Sequence, residues 1–133
     1  MLYEFLVAQL ETVEDLRDNV YPTGVCIDEV TPPFCVYTFM NNNKVADLSG
    51  EVHNEVDEIM VDILSPYYST AFSVSRQVEG LFRGMSNLDT EHGVYIFSGE
   101  ASVPQQDGFD VETGLYRRGV LVRLCWCEKP LEE

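Results

Sequence analysis

The fold is decided by residues 107–126, DGFDVETGLYRRGVLVRLCW. In the second half of this stretch, apolar side chains occupy every other position, and these are Val120, Val122, Leu124 and Trp126. Such a period of two is typical of a strand with one buried face. We therefore predict a long strand near the C-terminus whose inward face includes Trp126. We expect Trp126 to pack against a helix that carries Val78, Leu81 and Phe82.

Upstream of this strand the pattern alternates between helical and extended periods. Apolar spacing predicts an N-terminal helix from Leu2, broken near Glu11, and a second helix that Ser65 caps. Strands are predicted at residues 25–30, 34–40, 48–64 and 94–103, with a bulge near Asp57 and Glu58. The segment Asn41-Asn42-Asn43-Lys44 has no apolar side chain and is predicted to be the tip of a loop or hairpin.

This order of elements predicts one α+β domain over residues 1–133. We expect an antiparallel or mixed sheet of about four to five strands, packed on one face by two α-helices, with a long hairpin loop. The C-terminal residues 128–133 form a polar tail that we expect to fray. No apolar run is long enough to cross a membrane, and the N-terminus lacks the basic region of a signal peptide.

The chain is strongly acidic, with 23 Asp and Glu against 8 Lys and Arg and a formal net charge of −15. This charge disfavours proteins that hold DNA through its phosphates, because such binding depends on Lys and Arg. It favours solubility, and it also suits a surface past which a genome must slide without being held.

The sequence offers little support for a metal site or a catalytic site. Of Cys26, Cys35, Cys125 and Cys127, only the last two are closely spaced, and they lie in a strand rather than in a zinc knuckle. Carboxylates at Asp107, Asp110 and Glu112 lack a nearby base and are typical of a solvated loop. We expect no metal, no cofactor and no enzymatic activity.

Several segments in order resemble the tail-completion, or tail-terminator-like, proteins of long-tailed bacteriophages. These segments are Asn19-Val20-Tyr21-Pro22, Pro32-Pro33-Phe34-Cys35-Val36-Tyr37, Asp47-Leu48-Ser49-Gly50, the strand at residues 59–63, Ser65-Pro66-Tyr67-Tyr68-Ser69-Thr70-Ala71, and the run ending in Glu112-Thr113-Gly114-Leu115-Tyr116-Arg117-Arg118. The chain departs from the family pattern in its acidity and in its cysteines.

The resemblance implies a structural virion protein made in the bacterial cytoplasm and located in the neck of the virion. It implies a ring, commonly of six subunits, at the head-proximal end of the tail tube, which ends tube growth and joins the tail to the head connector. The implied partners are other copies of the chain, the tail-tube protein and the head-connector protein. DNA would pass through the lumen without specific binding, and no membrane is involved.

The residue types that favour partner contacts lie in two segments. We predict partner interfaces at the residues of the polar segment and of the acidic loop with the start of the last strand, namely Asn41, Asn42, Asn43, Lys44, Asp107, Phe109, Asp110, Glu112, Tyr116, Arg117 and Arg118. Two alternatives from other classes stay open: a small cytosolic α+β binding or adaptor domain, and a metal-dependent hydrolase.

Overall fold

The computed structural model describes residues 1–25, 29–46, 52–103 and 107–129. The described residues form two α-helices, α1 (Leu2–Leu10) and α2 (Tyr68–Phe82), and a short 3-10 turn that follows α1 at Glu14–Leu16. They also form one sheet of seven strands: β1 (Val20–Pro22), β2 (Phe34–Ala46), β3 (Val52–Ser65), β4 (Met85–Asp89), β5 (Val94–Ser102), β6 (Gly108–Asp110) and β7 (Leu115–Glu128).

The sheet is mixed, with the order β1-β2-β3-β7-β5-β4, and β6 also pairs with β7. Only β1 runs parallel to its neighbour, and the other pairs among the described residues are antiparallel. The chain is therefore α+β, but the predicted number of four to five strands is wrong. Three of the seven strands are only three to five residues long, so none of them has enough alternating positions to give a recognisable period.

The main core lies between one face of the sheet and both helices. It combines Ile59, Val61 and Ile63 of β3 with alternate residues of β7, the apolar side chains of α1, and Val74, Val78 and Phe82 of α2. The predicted burial of Trp126 is confirmed, since this side chain is 6% exposed and belongs to the main core, which also contains Val78 and Phe82 and against which Leu81 packs. A second, smaller cluster of Phe34, Leu64 and Leu115 lies at one end of the sheet. Leu64 follows Ile63 on β3, so its side chain points to the opposite face of the sheet from the main core.

The hairpin β2–β3 is longer than predicted. Asn41, Asn42, Asn43 and Lys44 pair in register with Glu58, Asp57, Val56 and Glu55, so these four residues belong to the ladder and are not a tip. The predicted bulge lies on the partner strand, where the register shifts around Met40. Asp47, Leu48, Ser49 and Gly50, together with Glu51, lie outside the described residues.

The start of α2 also differs from the prediction. The helix begins at Tyr68, and the Ser65 hydroxyl accepts a hydrogen bond from the backbone N–H of Tyr67 at 3.1 Å. Ser65 therefore shapes the turn that precedes the helix and does not cap it. No helix among the described residues has the length and hydropathy required to span a membrane.

Candidate interaction surfaces

One end of the molecule exposes large apolar side chains from two elements. The start of α2 and the β6–β7 hairpin meet there, and we call this surface the aromatic end. Its members are Tyr67, Tyr68, Phe72, Phe109 and Val111, which are 69%, 46%, 38%, 52% and 85% exposed. Contiguous exposed apolar side chains of this kind are characteristic of surfaces that contact other proteins.

A tight turn positions Phe109 within this surface. The N–H of Gly114 donates to the carbonyl of Asp110 at 2.8 Å, and Gly114 has a φ of 72°, which only glycine adopts without strain. The Asp110 carboxylate accepts the N–H of Glu112 at 2.9 Å. β6 is thereby held against β7, so that the rings of Phe109 and Tyr116 lie 4.6 Å apart between centroids.

A charged network fixes the aromatic end to the helix. The Asp107 carboxylate accepts a hydrogen bond from the Tyr68 hydroxyl at 2.6 Å and one from the Arg118 guanidinium at 2.7 Å. The bond from Tyr68, supported by Arg118, lowers the pKa of Asp107, and the same bond raises the pKa of Tyr68. Asp107 is thus ionised and Tyr68 protonated at neutral pH, and the network is intact there.

Arg118 also contacts an aromatic ring. Its guanidinium carbon lies 4.4 Å from the centroid of Phe72, and that of Arg76 lies 5.9 Å from the same centroid. Two cations on one ring, with one of them also paired to Asp107, hold Phe72 in a defined position although it is partly exposed. The aromatic end is therefore an ordered surface and carries positive charge among its apolar groups.

An open cleft of about 450 Å³ lies beside the aromatic end. Leu64 and Leu115 contribute apolar lining, the Phe109–Asp110 segment and Thr113 form one side, and Arg117 is at the rim. Burial raises the pKa of nearby Asp62, and the positive charge of Arg117 acts in the opposite direction. The cleft therefore combines an apolar floor with charged residues of both signs, Arg117 and Asp110.

The second surface is the distal part of the β2–β3 hairpin, residues 38–46 and 52–58, which we call the arm. β1 pairs with β2 only as far as Tyr37, so the outer edge of β2 has no strand beside it from Thr38 onward among the described residues. Two large apolar side chains are exposed on the arm, Phe39 at 41% and Met40 at 58%. The asparagines bond across the hairpin, with the Asn42 amide donating to Glu55 at 3.3 Å.

A buried carboxylate anchors the arm to the core. Asp57 is only 5% exposed, and its Oδ2 accepts hydrogen bonds from the Trp126 indole N–H at 2.6 Å and from the Asn42 amide at 3.0 Å. A buried carboxylate needs such partners, because burying an unpaired charge is costly. Trp126 thereby connects the packing of the core to the orientation of the arm.

The structure separates the predicted interface residues into two groups. Asp107, Phe109, Asp110, Glu112, Tyr116, Arg117 and Arg118 come together at or beside the aromatic end. Asn41, Asn42, Asn43 and Lys44 lie on the arm, at the other end of the strands. Tyr116 pairs with Ser65 and Trp126 with Glu55, so the two groups are separated by roughly ten strand residues, or about 33 Å.

The predicted interface residues do not include several side chains of these surfaces, namely Phe39, Met40, Tyr67, Tyr68, Phe72, Arg76 and Val111. Phe72 lies four residues after Tyr68 on α2, outside the buried stripe, and that spacing is the signal that could have placed it beside Tyr68. Val111 is exposed because it lies in a turn, and Met40 because it lies at a bulge. The spacing of apolar residues along the sequence reveals neither feature.

The described residues contain no group of three or more His, Cys, Asp or Glu side chains arranged to hold a metal ion. Cys26 lies outside them. Cys35 is fully buried, and burial raises the pKa of its thiol to about 12, so this thiol is protonated at neutral pH.

No protein-family model matches the chain, and no curated protein matches its sequence. Among solved structures, the fold is similar to that of a chain in the virion of a native gene transfer agent particle. The two chains are 12% identical, the alignment covers 91% of this chain and 84% of the other, and the TM-score is 0.50. At this identity the similarity concerns the fold.

Proposed function

We propose that this chain is a structural, non-enzymatic protein of a phage-like virion. In the specific form of the proposal it forms a homo-oligomeric ring, with six subunits, at the head-proximal end of a tail tube. The ring ends growth of the tube and presents a docking surface to the head connector. The observation that carries the proposal is the shared fold with a virion chain over 91% of the sequence.

The two exposed surfaces support an assembly role. The exposed aromatic side chains at one end, and the acidic hairpin whose outer strand has no strand beside it from Thr38 onward among the described residues, are surfaces suited to contacts with other chains. A ring subunit needs two different contact surfaces, because each subunit has a neighbour on both sides. The ordered aromatic end and the arm meet that need.

The chemistry of the acidic loop argues against the hydrolase alternative. Asp107 is engaged by Tyr68 and Arg118, and Asp110 holds the turn through the N–H of Glu112. Carboxylates that serve a catalytic metal must direct their oxygens to one common point. In this loop both oxygens of Asp107 and one oxygen of Asp110 are directed to protein donors.

The mass of the purified protein in solution tests the ring directly. Light scattering after size exclusion should give about 91 kDa, six times the 15.1 kDa chain, either alone or after addition of the tail-tube protein of the same virion. A species that stays at one or two chain masses in both conditions would favour the adaptor alternative.

We expect no measurable affinity for duplex DNA, even at low salt. The formal charge of −15 repels phosphates, and low salt would exaggerate any attraction that existed. An electrophoretic mobility shift in about 50 mM salt that weakens steeply as salt is raised would contradict this expectation.

We expect Phe109→Ala to impair assembly and to leave the monomer folded. Phe109 is 52% exposed, packs on Tyr116 within an exposed hairpin and belongs to neither core cluster, so its removal leaves the two cores intact. The melting temperature should fall by less than about 4 °C, which corresponds to under about 1 kcal/mol for a domain of this size. Formation of the ring, or its joining to neck proteins, should be lost.

Phe97→Ala is the matched control for this substitution. Phe97 is 37% exposed and lies on β5 at the level of Trp126 and Cys125, far along the strands from the aromatic end that holds Phe109. The Phe97→Ala variant should form the same assembly as the unaltered protein. A Phe109→Ala protein that melts several degrees lower yet still assembles would show that Phe109 is only a local anchor of the loop.

A further inference from the structure

We infer that neighbouring copies of this chain contact each other head to tail, with the arm of one copy seated in the cleft at the aromatic end of the next. This inference rests on the proposed ring and assigns its two contact surfaces. The occupant of the cleft is a second copy of the chain, and the part that enters it is Met40 with the adjacent carboxylate of Glu58.

Met40 is placed so that its side chain can enter the cleft of a neighbouring copy. It is the residue at which the β2–β3 register shifts, between the pairs Phe39–Ile59 and Asn41–Glu58, and its side chain is 58% exposed. A bulge directs the extra side chain out of the regular ladder. Methionine is flexible and polarisable, so it fills irregular apolar spaces well.

The cleft has the complementary chemistry. Leu64 and Leu115 belong to the small core and form an apolar floor, and the exposed Arg117 lies at the rim. An apolar group beside a carboxylate on the arm thus corresponds to an apolar floor beside a guanidinium in the cleft. Charged pairs at the edge of an apolar contact fix its register and favour the correct partner.

Contact between two arms is disfavoured by charge. The arm carries the carboxylates of Glu55, Asp57 and Glu58 against the single cation of Lys44, so two arms repel each other. The aromatic end carries charges of both signs, and it offers the arm an exposed cation, Arg117, at the cleft. Pairing the arm with the cleft therefore sets an arm carboxylate opposite a guanidinium, which two arms cannot do.

The positions of the two contacts on the subunit decide the type of assembly. A contact between different surfaces is heterologous, and repetition of it closes into a ring when the rotation between copies allows. Glu58, beside Met40, pairs with Arg123, and Leu64, in the cleft, pairs with Arg117, so the inserted residues and the cleft are separated by about six strand residues, or about 20 Å. Each copy can therefore hold one neighbour in its cleft while its own Met40 enters the cleft of the other.

Two single variants test the inference. Met40→Asp places a charge on the arm where the apolar cleft must receive it, and the cleft stays intact. Thr113→Trp fills the cleft from an exposed turn position, and the arm stays intact. The controls are Leu88→Asp and Ser86→Trp, at exposed positions of β4, and melting temperatures verify that each variant is folded.

We expect each variant alone to sediment as a monomer, and an equimolar mixture of the two to form a 1:1 heterodimer of about 30 kDa, twice the chain mass, because only one intact contact remains. The controls should form rings. If either variant alone still assembles, or if the mixture contains only monomers while the unaltered chain forms rings, the inference is wrong and the ring stands. If the unaltered chain never exceeds one chain mass, with or without tail-tube protein, the ring fails as well.

Discussion

Replacing Trp126 by alanine is expected to lower the free energy of unfolding by about 3–5 kcal/mol, which is a large part of the roughly 5–15 kcal/mol available to a domain. Two losses combine. The substitution leaves a cavity beneath α2 where the indole packs with Val78 and Phe82, and it removes the indole N–H from the buried Asp57 carboxylate. Chemical denaturation followed by circular dichroism measures the effect without relying on the fluorescence of the missing tryptophan.

Trp126→Phe separates the two losses. Phenylalanine keeps most of the apolar packing and donates no hydrogen bond, so Asp57 retains only the Asn42 amide as a partner. We expect this variant to cost about 1–3 kcal/mol, the penalty of leaving a buried polar group short of a partner. The unaltered protein should show the blue-shifted tryptophan emission of a buried indole. Emission typical of full water exposure would contradict the buried position.

Gly99→Ala is expected to have the second largest effect. A Cβ at this position would lie 2.8 Å from the Phe82 carbonyl oxygen and 2.9 Å from the Met85 Cβ, which is closer than packed atoms approach. The first of these contacts is with backbone at the end of α2, where the Gly84 N–H also donates to the Gly99 carbonyl at 3.1 Å. Relief therefore requires α2 and β5 to separate, and we expect a loss of about 1–3 kcal/mol.

Gly80→Ala is the control for this substitution, and it is expected to change the stability in the opposite direction. Gly80 lies in the interior of α2, and a Cβ there would meet no atom within 4 Å. Alanine favours the helix over glycine by roughly 0.5–1 kcal/mol, so this variant should be more stable than the unaltered protein. Equal destabilisation by the two substitutions would mean that the close approach at Gly99 is not what limits its replacement.

The long elements could be predicted because each has a clear period over many residues. The buried side of β7 and the apolar stripe of α2 follow periods of two and 3.6, and the structure has both. β5 was predicted as a strand at residues 94–103 and is present at Val94–Ser102, but its buried face could not be predicted from alternation. Its register shifts between Ile96 and Ser98, so Phe97 is exposed, although plain alternation places it on the same face as the partly buried Ala101.

The missed strands have a common physical cause. β4 follows α2 after only Arg83 and Gly84, and the φ of 79° at Gly84 redirects the chain abruptly. From the sequence, residues 85–89 therefore appear to be the weakened end of the helix. β1 and β6 exist because longer strands offer them hydrogen bonds, and such tertiary support leaves no local signature.

The candidate surfaces were predicted in part. Residue types identified the loop at Asp107–Glu112 and the run from Tyr116 to Arg118, since aromatic and arginine side chains are enriched where proteins bind each other. The contribution of Phe72 and Arg76 depends on how α2 lies against β7, and the exposure of Met40 depends on a bulge. These are properties of the assembled sheet rather than of any short segment.

The position of β7 in the sheet determines when the domain can fold during its synthesis. β7 is the last strand along the sequence, yet it lies between β3 and β5 and joins the two halves of the sheet. Its pairing of Trp126 with Glu55 spans about 70 positions of the chain, and contacts between such distant residues slow folding. During synthesis, the helices and the β2–β3 hairpin emerge from the ribosome well before the strand that unites them. The core of this domain is therefore completed only after the residues up to Glu128 have left the exit tunnel, and any contact that needs the intact sheet forms after that point.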